Sequence, residues 1–321
     1  MPHYNKDKYC VVAVGRAYTD VIADVSKDFL EKRNIPFDAG REFDIPALRK
    51  IQSELKNPRM VAGGSSANTV AVLAALGGKA GFFGKVCHDE MGDFFLEDFR
   101  KRGVSLCCDP FDHQGTMSAV CLVLLTKSGH RSFVMGTNCA EDFSIKDFRS
   151  FDFRSTDFFL IDVQLLSDGK APAVIRDAIE YAQDKTKIVF SFHNVNIWKD
   201  QQHIARYIVE KADILIGNDA EQTLFHNVLK LQHPPHQIIV TTKGENGVEA
   251  RVGNKHIDIP GDRPKHFVSS VGAGDSFLAG FLFGLSKGLS LEASLKYGVK
   301  TALAILEEVG ARPTHSLMIR E

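Results

Sequence analysis

The sequence predicts an α/β fold: a central, mostly parallel sheet flanked by helices, with a small β-sheet as a cover. Three observations lead there. Strand-length apolar runs at 157–163, 187–192, 213–217 and 236–242 alternate with helix-length segments at 171–183, 200–210 and 219–230. Such alternation builds βαβ units around a parallel sheet. "YCVVAVG" (9–15) is an apolar run closed by glycine, as suits a buried strand. The stretch 115–136 breaks the pattern with two strands joined by a turn at Lys127–His130.

The remaining elements follow in order. "IPALRKIQSELK" (45–56) reads as a helix with Pro46 early in it. "SSANTVAVLAALGG" (65–78) is a small-residue helix that stops at glycine, and "AGFFGKV" (80–86) is a short strand. "MGDFFLEDFRKRG" (91–103) has helical spacing, with basic residues in its last turn and Gly103 after it. "HIDIP" (256–260) returns to strand, and two helices close the chain at about 274–287 and 290–308. In the last helix, Leu291, Leu295, Val299, Ala302 and Ile305 share one face. No linker divides the chain, so 1–321 is expected to be one unit. Its cover is discontinuous, built from about 16–45 and 115–137.

Composition narrows the function. The chain has 321 residues and a net charge of −1, so no global basic field recruits nucleic acid or an anionic membrane. Its longest apolar runs, "AVCLVLL" (119–125) and "VAVLAAL" (70–76), are too short to span a bilayer. The six cysteines form no C-x-x-C pair and are expected to be reduced, buried thiols in a cytoplasmic protein. The 23 Phe far outnumber Tyr and Trp; most are expected in the core, with one or two at a ligand pocket. The P-loop, the dinucleotide fingerprint, G-x-S-x-G and H-E-x-x-H are all absent.

Five clusters carry chemistry. In "SSVGAGDSFLAGFLFGL" (269–285), Gly272, Ala273 and Gly274 precede Asp275 and a helix. The first amides of a helix lack internal partners and suit a phosphate, and Asp275 beside them would accept the proton of an attacking hydroxyl. The structural alternative is an Asp N-cap after a glycine turn. Gly63 and Gly64 open the second helix, whose first turn carries Ser65, Ser66 and Asn68. Backbone without Cβ can approach a sugar ring there, or the glycines and serines are simply a turn and its caps. Asp20, placed just after the first strand, suits a vicinal diol or is a surface carboxylate. Asn218 and Glu221 share a helix face, as a site for Mg²⁺ through its waters or as a capping box. The loop Lys243–Gly247 between two strands is a nucleotide-contacting loop or a hairpin turn.

The order Gly63-Gly64, Asn68, Gly84-Lys85-Val86, Asp89, Gly92, Asn218, Glu221, Gly272-Ala273-Gly274-Asp275 resembles the ribokinase-like, PfkB-type carbohydrate kinase family, from Asp20 to "GARP" at 310–313. Within it, "AGGSSANTVAVLAALGGKAGFFGKV", "GTMSAVCLVLLTKSGHRSFVMGTNC" and "DILIGNDAE" are similar to the adenosine-kinase branch. The resemblance implies a ribokinase-like fold with a β-lid over the sugar site. It implies Asp275 as catalytic base, Gly272, Ala273 and Gly274 as anion hole, and Arg131 as a phosphate clamp on the lid. Asp20, Gly63, Gly64, Asn68 and the lid-side Asn138 match acceptor-binding positions. Asn218 and Glu221 match the motif that organises Mg²⁺ and phosphates, and Thr242, Lys243, Gly244 and Gly247 fall in the nucleotide loop.

The sequence also departs from the family. Ser269 and Val271 stand where Asp and Thr are usual, which counts against K⁺ activation. Arg16 replaces the branch's common Asn, and "HNVNIW" (193–198) does not follow a sugar-kinase pattern. The expectation is an ATP- and Mg²⁺-dependent kinase, monomeric or homodimeric, acting on the primary hydroxyl of a ribonucleoside, adenosine first. A sugar or sugar-acid kinase on the same fold, and a catalytically silent ligand-binding module, are the alternatives.

Overall fold

The structure, a computed structural model, describes residues 8–111, 115–166, 171–192, 202–229 and 233–319. Among them a nine-stranded sheet runs in the order β14 (Lys255–Ile259), β13 (Val248–Val252), β12 (Ile238–Thr242), β11 (Ile214–Asn218), β10 (Lys187–Ser191), β9 (Thr156–Asp162), β1 (Tyr9–Val14), β5 (Ala80–Phe83) and β6 (Ser105–Leu106). Every neighbouring pair from β12 to β6 is parallel; β12, β13 and β14 form antiparallel hairpins. A second sheet has the order β3 (Gly40–Glu42), β8 (Arg131–Gly136), β7 (Ala119–Thr126), β2 (Tyr18–Val25) and β4 (Arg59–Gly63). The helices are α1 (Lys27–Glu31), α2 (Ile45–Ser53), α3 (Ser65–Ala75), α4 (Glu90–Arg102), α5 (Ile145–Arg149), α6 (Ala171–Ala182), α7 (Gln202–Lys211), α8 (Asp219–Leu229), α9 (Ala273–Ser286) and α10 (Leu291–Leu306).

The two sheets differ in pattern because they differ in what covers them. β1 is buried from Cys10 to Val14, and its side chains divide between two cores. Val11 and Ala13 join Val70 of α3, Phe95 and Phe99 of α4, and Phe281 of α9. Val12 and Val14 join Phe148 of α5, Ile175 and Ile179 of α6, Ile208 of α7 and Phe225 of α8. A parallel strand with helices on both faces must be apolar on both. β2 instead alternates, with Thr19, Val21 and Ala23 buried, as expected where one face meets a core and the other does not. That third core unites Val21, Leu122, Leu124 and Val134 with Leu30, Leu48 and Ile51.

Local signals account for the helix boundaries. Asp44 caps α2 by accepting from the Ala47 amide at 2.9 Å, with proline in the first turn. Asp89 caps α4 through the Gly92 amide at 2.8 Å, and Gly103, with φ 70°, ends it. The six cysteines are free, four of them buried. No helix of the described residues is long and apolar enough to cross a membrane.

Three observations add to these expectations. β4 is a strand that the sequence pattern does not announce, and it extends the second sheet beyond 16–45 and 115–137. Asp20 does follow the first strand, and it lies within the next one, β2, which belongs to the second sheet. The buried face of α10 is Ser294, Leu295, Gly298, Thr301 and Ile305, because α9 and α10 meet along small residues. A Cβ on Gly280 would lie 2.2 Å from Thr301 Oγ1, and one on Gly298 would lie 2.8 Å from the Phe277 carbonyl oxygen. Leu291, Val299 and Ala302 flank that seam, half-buried against the same core, and Val299 and Ala302 also border a cleft. "HNVNIW" lies outside the described residues.

Candidate active site

The C-terminal ends of β10, β11 and β12 and the N-terminus of α9 converge on one edge of the large sheet, where open parallel sheets bind ligands. α9 starts at Gly272, whose φ of 79° lies in the left-handed region. A Cβ there would meet the Ala311 Cβ at 2.5 Å, so only glycine fits. Gly274 is the opposite case: a Cβ on it would meet nothing within 4 Å. The helix end is thus backed by residue 311 and open in front. The Ser276 amide bonds the Gly272 carbonyl at 2.9 Å, and the Ala273 amide turns back to the Ser270 carbonyl at 3.3 Å. The Gly274 and Asp275 amides between them lie in the turn where helix amides and dipole attract an anion.

Asp275 is the third residue of α9 and not its cap; Gly272 holds the cap position with no side chain to offer. The half-buried carboxylate reaches across to α3 instead. Oδ1 accepts from Ser65 Oγ, and Oδ2 accepts from Asn68 Nδ2 at 3.0 Å. α3 also begins on a left-handed glycine, Gly64 (φ 94°), and a Cβ there would sit 2.4 Å from the Arg16 carbonyl oxygen. Ser66 is buried, its Oγ 3.4 Å from Asp162 Oδ2. Neither serine therefore caps the helix.

Behind Asn68 lies Arg312, which is buried. Its Nε donates to Asn68 Oδ1 at 2.9 Å, one terminal nitrogen donates to the Gly63 carbonyl at 2.8 Å, and the other pairs with Asp98. The guanidinium also lies over the Phe95 and Phe99 rings. Burial pulls its pKa below the usual arginine value, against the opposing pull of Asp98.

Two depressions share Thr242, Ser270, Ala273 and Gly274. The smaller, about 180 Å³, brings Asn218, Glu221 and Thr242 to the same walls as Gly272, Ala273, Gly274 and Asp275. The larger, about 590 Å³, is floored by Phe277, Val299, Ala302, Leu303 and Leu306, with Phe267 at its rim. Asn218 and Glu221 do form the capping box: Asn218 Oδ1 accepts from the Glu221 amide at 2.9 Å, and Glu221 Oε2 accepts from the Asn218 amide at 2.8 Å. The 243–247 loop is a hairpin, and its Gly244 and Gly247 also line the larger cleft. Lys243 turns to Glu249 at 2.6 Å and Asp258 at 3.8 Å, ion pairs that raise its pKa.

The second sheet carries the other expected residues. Asp20 sits over Gly63 so closely that a Cβ there would fall 2.8 Å from Oδ2. Burial pushes the Asp20 carboxyl up to about 6, against the opposing charges of Arg312 and Arg131. Arg131 opens β8, exposed, with its guanidinium over the Phe133 ring; it does not line either depression. Asn138 adopts a left-handed backbone (φ 47°) and donates Nδ2 to the Ser118 carbonyl at 3.1 Å. Arg16 pairs with Glu141, Nε at 2.8 Å, and donates to the Gln164 carbonyl at 3.1 Å.

A family model described as pfkB family carbohydrate kinase matches residues 11–316. The chain belongs to this family. The 5-dehydro-2-deoxygluconokinase of Geobacillus thermodenitrificans is 24% identical over 302 residues, covering 85% of this chain and 90% of that relative. Among solved structures, a probable sugar kinase from Rhizobium etli superposes with a TM-score of 0.82 at 25% identity, over 97% of both chains. The adenosine kinase from Sinorhizobium meliloti gives 0.80 at 25% identity, over 96% of this chain and 97% of that one.

The protein is thus a kinase on a ribokinase-like fold, with its second sheet in place. Within this pfkB chain the structure brings Asp275, Gly272–Gly274, Asn218, Glu221 and Thr242 to one cleft, with Gly63, Gly64 and Asn68 behind Asp275 and Asp20 above Gly63. Sequence reasoning missed Ser65 as a partner of Asp275, and it noted Arg312 only within "GARP", without a role. No local signal shows what Arg312 does, since its partners lie 244, 249 and 214 residues away along the chain.

Proposed function

We propose that this kinase transfers the γ-phosphoryl group of ATP to a primary hydroxyl of a ribonucleoside, adenosine first, with Asp275 as the base. The observation that carries the reading is the Asp275 carboxylate, held by Ser65 and Asn68 at the open amide end of α9. Phosphoryl transfer needs positioning and charge stabilisation more than covalent help. The Gly274 and Asp275 amides of the 272–275 turn meet the developing negative charge, and the Asp275 carboxylate accepts the proton of the attacking hydroxyl. Asp20, Gly63, Gly64 and Asn68 grip the acceptor's hydroxyls, with Asn138 on the lid side. Thr242, Lys243, Gly244 and Gly247 border the nucleotide, whose base would lie against Phe267 and Phe277.

The donor set suits Mg²⁺. Asn218, Glu221 and Thr242 present oxygen atoms on the walls of the smaller depression, and Glu221 is oriented by the Asn218 amide. When bound there through water, the ion would supply charge neutralisation of the phosphates. The whole chain acts as one unit, with the second sheet as a lid whose closure brings Arg131 toward the phosphates and excludes water.

Similarity to the Sinorhizobium meliloti adenosine kinase supports adenosine as the acceptor. The relative named 5-dehydro-2-deoxygluconokinase favours a second reading, a sugar-acid acceptor. ADP release measured across adenosine, inosine, ribose, fructose and 5-dehydro-2-deoxygluconate decides between them. Adenosine is expected to drive ADP release; turnover of the sugar acid with none of adenosine selects the second reading. Binding of Mg·ATP without turnover of any acceptor would point to a silent binding module.

A further inference from the structure

We propose that Arg312 is a positioning residue for the base: it locks the Asn68 carboxamide so that its N–H faces Asp275. The inference rests on Asp275 acting as the base. An Asn side chain presents a carbonyl oxygen on one side and an NH₂ on the other. Only the NH₂ attracts a carboxylate; a flipped amide would set oxygen against Asp275 Oδ2. Arginine has donors and no acceptor, so the group of Asn68 that meets it must be the oxygen. With Oδ1 held on Arg312 Nε at 2.9 Å, Nδ2 is left facing Asp275 Oδ2, 3.0 Å away.

Arg312 is itself immobilised. It donates to the Gly63 carbonyl at 2.8 Å and pairs with Asp98, which Arg102 holds through bonds of 2.9 and 3.0 Å. Arg102 in turn donates to the Pro313 carbonyl. The segment 311–313 therefore touches both helix ends that build the site. Ala311 backs Gly272 of α9, Arg312 sits under Gly63 and Asn68 at the start of α3, and Pro313 is tied to α4. The charge of Arg312 also opposes the upward push of burial on Asp20, so one guanidinium serves both carboxylates of the site.

Steady-state kinetics test this, using whichever of adenosine or 5-dehydro-2-deoxygluconate the wild type phosphorylates. Arg312→Lys keeps the charge but replaces a three-way fork with one nitrogen. Its kcat is expected to fall roughly 10- to 100-fold, with KM for ATP within about twofold of wild type. In an Asn68→Leu background the same change should cost less than about twofold in kcat, because the path through Asn68 is already gone. Asp98→Asn removes the ion pair but keeps an acceptor oxygen, and the Gly63 carbonyl still holds the guanidinium against Asn68, so kcat should stay near the wild-type value while the thermal midpoint falls. Independent losses from Arg312→Lys and Asn68→Leu that simply multiply would overturn the inference alone. So would an Arg312→Lys enzyme that loses thermal stability like Asp98→Asn yet keeps its kcat. An Asp275→Asn enzyme with undiminished kcat would remove the base and this inference with it.

Discussion

The N-termini of α3 and α9 start from the same local device and end in different roles. Each begins on a glycine with positive φ, Gly64 at 94° and Gly272 at 79°, with no side-chain cap. Other helices of the chain are capped by side chains, Asp89 for α4 and Ser290 for α10. What separates the two glycine starts is their cover. The α9 end opens at Gly274 onto a cleft. The α3 end is closed by the Arg16 carbonyl and by Asp162, and its first-turn side chains are turned on Asp275. A glycine-started helix can thus serve as an anion cradle or as the bracket that holds a base, and tertiary cover selects which.

The proposed division assigns catalysis to the α9 end and acceptor grip to the α3 side, and four substitutions probe it. The largest effect is expected from Asp275→Asn: kcat should drop roughly 10²–10⁴-fold, with ATP and acceptor affinity by calorimetry little changed. Weakened binding with normal turnover would reverse the division. Next comes Asp20, whose carboxyl is raised to about 6 and must be ionised to hold two hydroxyls by charge-assisted hydrogen bonds. Acceptor KM should therefore rise roughly tenfold per unit as pH falls below about 6, with kcat flat. Asp20→Asn should remove that pH dependence; its persistence would assign the titration elsewhere.

The smallest effects compare the two ends of the same cradle. Gly272→Ala should lower stability by about 1–3 kcal/mol in urea unfolding, from backbone strain and the Ala311 contact. Gly274→Ala, with open space around it, should raise stability by about 0.5–1 kcal/mol through helix propensity. Its methyl group would nonetheless crowd a phosphate and lower kcat. A Gly274→Ala enzyme that is both more stable and fully active would separate the cradle from the chemistry.

Much of the frame was legible because its signals are local. The parallel strands announce themselves as continuous apolar runs, since helices cover both faces. The caps of α2 and α4 and the stop at Gly103 follow from residues within one turn. β4 was not legible: "RMVAG" pairs only through its long-range partner β2, and its exposed Val61 gives no strand periodicity. The apolar face of α10 was legible from its spacing, but its closest seam was not, because Gly280, Gly284, Gly298 and Thr301 let the backbones of α9 and α10 approach.

The sequence by itself determined the α/β class, the pfkB family and the glycine-rich turn ahead of Asp275, because each depends on residue types close along the chain. Tertiary structure alone decided that Asp275 is no cap and that Ser65 and Asn68 hold it. It also decided that Arg312 stands behind Asn68 and that Asp20 sits in a strand above Gly63. Those contacts join residues more than 200 positions apart or, for Asp20 and Gly63, on two paired strands of the second sheet, and burial and hydrogen-bond direction there depend on the packed surroundings, which no window of sequence contains.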